Sequence, residues 1–94
     1  MNEFLFKSIS KVVDSRKKLA NQALELLEPE CDNIIRLNCS DSQTIERLLD
    51  ELLDFCFDEK ILNVYRKLCR YYYNIDAAAT AQYVNAYREM WDEG

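Results

Sequence analysis

The residue inventory first excludes chemistry. The chain contains no histidine, the commonest general base and the usual partner of a nucleophilic serine or cysteine. The same lack removes the Glu-x-x-His pattern by which helical bundles hold paired metal ions. Four cysteines, Cys31, Cys39, Cys56 and Cys69, are spaced by eight, seventeen and thirteen residues. No Cys-x-x-Cys pair results, and a zinc site would need its ligands gathered singly from separate elements. The expectation is a non-enzyme with no catalytic residue, no metal and no cofactor, its thiols serving as small hydrophobes.

Three constellations remain. Glu46, Asp50, Asp54 and Asp58 recur every four residues, which on one helix is an acidic stripe whose neighbouring like charges each cost ~0.2–0.5 kcal/mol. It reads as a solvated face balanced by basic side chains from another helix, or as a docking surface for a basic partner. A stripe along a helix does not wrap oxygens around a divalent ion.

The second constellation sets Arg66, Arg70 and Asn63 opposite the apolar face of their helix, with Lys67 and Tyr73 beside them. Tyr71, Tyr72 and Tyr73 project about 100° apart on a helix, so at least one is exposed. Exposed tyrosine next to arginine is the composition of a protein interface and also of a phosphate contact. The short turn before this helix resembles a helix-turn-helix link, but the preceding helix is acidic and repels a nucleic-acid backbone, which disfavours DNA.

The third lies in the last helix. Thr80, Val84, Tyr87 and Trp91 form one seam, and Ala79, Tyr83, Ala86 and Met90 a second. Together they span about 180° of apolar arc, more than a peripheral helix requires. Either this helix is covered on both sides, or it leaves a face for a second copy or another protein, with Tyr83, Met90 and Trp91 as anchors.

The elements that position these residues read as helices throughout. One glycine and one proline are too few for hairpins or phosphate-cradling loops. A first helix is expected from Glu3 to Glu28, its apolar residues Leu5, Ile9, Val12, Leu19, Ala23 and Leu26 following three-and-four spacing. Arg16 falls within that arc, implying a break near Ser15, a buried pair with a carboxylate, or an arginine extended to the bundle edge. Pro29 stops the helix or starts the next, leaving 29–38 as a short segment, helix or loop. Ser40 and Gln43 form a capping box for a helix through Cys56. Asp58 caps the helix carrying Ile61, Leu62, Tyr65, Leu68, Cys69 and Tyr72, and Asn74 or Asp76 caps the last, through Asp92. The fold class is therefore all-α, a compact bundle of four to five helices with short connections forming a single helical domain over residues 1–94.

Ninety-four residues with 49% hydrophobic and 31% charged content suit one ordinary globular core. The N-terminus carries no secretory pattern and no stretch is long enough to span a membrane, so a cytoplasmic location with reduced cysteines is expected. The net charge is −5, but it is segregated. Residues 25–59 hold eleven acids against Arg36 and Arg47, between flanks rich in lysine and arginine. That pattern is satisfied most simply by internal pairing.

The functional expectation is a small interaction or regulatory module, inhibitor- or adaptor-like. It docks on another protein or a second copy through Arg66, Arg70, Tyr73, Tyr83, Met90 and Trp91. The alternative is a nucleic-acid-binding regulator using the basic, tyrosine-rich helix. No membrane role is expected.

Overall fold

Pro29 does not end the first helix. In the computed structural model, which describes the backbone of residues 2–92 and the side chains of residues 15–92, α1 spans Asn2–Arg36 with Pro29 inside it. The segment 29–38 is thus the end of α1 and its cap. A proline within a helix removes one hydrogen bond and costs about 3 kcal/mol. Burial on both sides offsets that cost: Ala20 and Leu27 before Pro29, and Cys31 and Ile34 after it, line one face of the same helix and are all buried. Pro29 itself points to solvent.

The continuation also moves the buried face. Leu19 and Leu26, expected in the core, are 54% and 72% exposed. On a helical wheel Cys31 and Ile34 lie in the direction of Ala20 and Leu27, about 100° from Leu19 and Leu26. Once the helix runs through Ile34, that direction carries the larger continuous apolar surface. Leu5, Ile9 and Val12 lie outside the described side chains. The chain leaves α1 through Asn38, whose φ of 53° is left-handed. Asn38 N–H bonds to the Ile35 carbonyl and Cys39 N–H to that of Ile34, a Schellman closure in which asparagine replaces the usual glycine.

The remaining helices are α2 (Ser42–Leu53), α3 (Glu59–Tyr73) and α4 (Ala77–Met90). An aspartate caps each. Asp41, not Ser40, caps α2, accepting hydrogen bonds from Gln43 N–H at 3.2 Å and the Thr44 hydroxyl at 2.8 Å. Its carboxylate reaches two donors of the first turn, a role sketched for the capping box one residue earlier. Asp58 accepts from Lys60 and Ile61 N–H, and Asp76 from Ala79 N–H.

Cross-links give the directions. Tyr72, late in α3, bonds to Glu46, early in α2, so this pair is antiparallel. Arg47 of α2 meets Glu30 of α1, while Arg16 meets Phe57 beyond α2, so α1 and α2 are also antiparallel. The short link at 74–76 returns α4 along α3. The core joins Leu27, Cys31 and Ile34 of α1, Ile45, Leu48, Leu49, Leu52 and Leu53 of α2, and Ile61, Val64, Tyr65, Leu68, Cys69 and Tyr72 of α3. No described helix is long and apolar enough to cross a membrane.

The two seams of α4 are largely used inside the bundle. Thr80 is buried, and Ala79, Tyr83, Ala86, Tyr87 and Trp91 pack against the core. Tyr65 donates a hydrogen bond to the Tyr83 carbonyl at 2.7 Å, and the Trp91 indole N–H donates to the Leu53 carbonyl at 2.8 Å. Only Val84 and Met90 of the two seams remain exposed, at 37% and 52%.

Candidate functional site

The acidic stripe breaks up on folding. Asp54 is the C-cap of α2 and Asp58 the N-cap of α3, so only Glu46 and Asp50 share a helical face. Tyrosines, rather than the expected lysines and arginines, meet them. The Tyr72 hydroxyl donates to the Glu46 carboxylate. The Tyr83 hydroxyl lies 3.5 Å from the Glu46 carbonyl, and burial, then the nearby Asp50 carboxylate, hold its pKa well above the ordinary phenol value. A neutral phenol donor relieves a carboxylate without adding a buried cation.

Charges do pair at other positions, and one described pair, Lys67 with Asp32, joins the acidic middle to a basic flank. Arg47 bridges Glu30 and Glu51 at 2.8 and 3.3 Å, and Lys67 of α3 meets Asp32 of α1. Arg16 does not break α1, and it has no carboxylate partner among the described side chains. It is exposed, and its guanidinium lies 4.5 Å from the centre of the Phe57 ring, a cation–π contact at the bundle edge.

The cysteines are placed for packing. Cys31, Cys56 and Cys69 are buried and Cys39 half-buried, all as free thiols. Burial is the main cause that pushes Cys31 and Cys56 up to about 12 and Cys69 to about 11, so they carry almost no thiolate at neutral pH. Among the described residues, no three metal-ligating side chains converge.

One surface gathers unused charge around an apolar floor. Between α3 and α4 runs a cleft of about 380 Å³. Leu62, Tyr65 and Cys69 come from α3, Val84 and Tyr87 from α4, and Arg66, Arg70 and Arg88 also line it, with Asp92 the single acid among the described lining residues. All three arginines are exposed, and none has a described carboxylate within 4.0 Å. Arg66 and Arg70 also line a broader trough between α1 and α3, with Leu24, Glu28, Lys60, Asn63, Val64 and Lys67. They therefore stand on a ridge between two grooves.

The expected docking residues are divided. Arg66 and Arg70 belong to the cleft. Tyr73 is 61% exposed at the end of α3 and lines neither groove. Tyr83 and Trp91 turn toward α2, Trp91 also resting on Phe57 with ring centres 5.7 Å apart. Met90 is exposed outside the cleft. Leu62, Val84, Tyr87 and Arg88 were not singled out as docking residues. A legible signal existed for two of them: Val84 and Arg88 are four residues apart and so share one line along α4.

No protein-family model, no curated protein and no solved structure matches this chain.

Proposed function

We propose that this chain is a small non-catalytic docking module that recognises another protein through the cleft between α3 and α4. The observation that carries the reading is the apolar floor of Leu62, Val84 and Tyr87 rimmed by Arg66, Arg70 and Arg88, none with a described ion-pair partner. By contrast Arg47 and Lys67 are paired with carboxylates, and Asp41, Asp58 and Asp76 are occupied as helix caps. Arginine over exposed apolar side chains is the composition of interface hot spots. The high-pKa thiols and the absence of histidine fit a binding role, in a reducing cytoplasmic setting.

A photo-crosslinking residue at Val84 tests this. Protein adducts are expected from Val84 but not from a crosslinker at exposed Asn33 on α1, and Arg66→Ala should reduce them. The same yield from both positions would exclude the cleft as the docking surface. A self-adduct would identify the partner as a second copy.

The second reading is a nucleic-acid-binding regulator, favoured by the ridge of Lys60, Arg66, Lys67 and Arg70 along α3. Against it, Lys67 is engaged by Asp32, and Glu28 lines the same trough. Salt-dependent DNA affinity, lost on Arg66→Ala or Arg70→Ala, would establish this reading in place of the first.

A further inference from the structure

We infer that the occupant of the α3–α4 cleft is an acidic amphipathic segment of a partner protein, a reading that rests on the docking role proposed above. Its apolar side chains enter between Leu62, Val84 and Tyr87, and its carboxylates meet Arg66, Arg70 and Arg88.

Charge complementarity selects the occupant. Three guanidiniums border a cleft in which Asp92 is the one acid among the described lining residues. Guanidinium matches carboxylate in a two-point hydrogen-bonded geometry that lysine does not offer. Arg66 and Arg70 are one helical turn apart on α3, and Val84 and Arg88 one turn apart on α4. Carboxylates at i and i+4 on a partner helix repeat at the same ~6 Å interval.

The volume sets the scale of insertion. About 380 Å³ lies at the lower end of the ~300–1,000 Å³ typical of ligand pockets. It holds one or two large side chains and leaves the rest of the segment on the arginine rim. A phosphate backbone has no group to cover that apolar floor, which favours a peptide over nucleic acid.

The net charge of −5 does not override this local attraction. Glu46 and Asp50 line a different hollow, beside Gln82, Tyr83 and Ala86. Exposed charges more than about 8 Å apart are largely screened at physiological ionic strength, so the arginines at the rim dominate what a bound segment feels.

The test is an NMR and anisotropy titration of the full chain with a stapled helical peptide bearing leucines on one face and glutamates beside them. Parallel titrations use its glutamine counterpart and a short random DNA duplex. The acidic peptide is expected to shift the Leu62 and Val84 methyl signals. The Arg66→Ala/Arg70→Ala pair and the change to the glutamine peptide should each weaken binding by about tenfold or more. Val84→Asp should abolish binding while the helical circular dichroism is unchanged.

Equal binding of both peptides at the cleft would overturn the acidic specificity and leave the docking role standing. Binding of the acidic peptide away from Leu62 and Val84, or none at all, would also overturn the inference, and crosslinking at Val84 then decides the docking role by itself. DNA binding with no peptide binding would overturn both.

Discussion

The indole of Trp91 fastens the end of α4 to the end of α2, by a hydrogen bond to the Leu53 carbonyl and by contact with Phe57. Trp91→Phe keeps most of the ring contact but removes the donor, and should cost about 1 kcal/mol. Trp91→Ala also removes the half-buried ring and should cost about 2–3 kcal/mol, below the range for a fully buried tryptophan. Urea unfolding followed by circular dichroism distinguishes the two losses. The buried thiols make a second residue-scale prediction. Folding raises Cys31 and Cys56 from 9.0 to about 12 and Cys69 to about 11, so the folded state retains protons that the unfolded chain releases. The stability this confers is complete below pH 9 and is lost as pH rises from about 9 through about 12. Unfolding measured against pH should show this alkaline decline. At neutral pH a thiol reagent should modify half-buried Cys39 first and the other three only on unfolding; rapid native reaction of all four would contradict their placement.

At the scale of elements, each short helix depends on an aspartate at its start. Asp58→Ala and Asp76→Ala should each cost about 1 kcal/mol, because the first-turn amides lose their acceptor. Asn in place of either aspartate should restore most of that stability, as read from the midpoint of thermal unfolding. Pro29 has the opposite sign. It occupies the interior of α1 without an N–H to donate, so Pro29→Ala should stabilise the protein by about 1–3 kcal/mol. A destabilised Pro29→Ala variant would mean that the proline sets a bend on which the packing of Leu27 and Cys31 depends. Replacing Asn38 by glycine should be nearly neutral, since both residues accept the left-handed turn that closes α1.

The whole molecule measures 54 × 28 × 17 Å, and α1, about 52 Å long at 1.5 Å per residue, runs nearly its full length. Stability comes from the aliphatic core shared by α1, α2 and α3, and the surface ion pairs add little. Arg47, Glu30, Lys67 and Asp32 are all about half exposed. Arg47→Ala or Lys67→Ala should therefore change stability by less than about 1 kcal/mol, with the difference fading in high salt. A larger, salt-independent loss would show that these pairs fix how α1 sits on α2 and α3. Among the described residues the acidic middle of the chain meets a basic flank in one ion pair, Lys67 with Asp32, and Arg66, Arg70 and Arg88 stand at the cleft.

Much of the architecture was legible along the chain. The scarcity of glycine and proline, the periodic leucines of 45–53 and the aspartates at 58 and 76 define helices and their starts through local chemistry, so α2, α3 and α4 lie close to where that chemistry puts them. Arg66 and Arg70 were visible as outward residues because an isolated helix already sorts its faces. Two other features depended on distant partners. Whether Pro29 ends α1 is a balance between a local cost and burial against other helices, and the continuous face from Ala20 to Ile34 decides it. Whether the apolar surplus of α4 is free is likewise not local: Tyr83 and Trp91 are claimed by α2, and Val84 remains beside Arg88. Local periodicity determined the helices and their sorted faces. Tertiary packing alone decided which faces found partners, because a cleft exists only once two helices, here α3 and α4, lie side by side, and what remains open on each depends on the third helix it packs against.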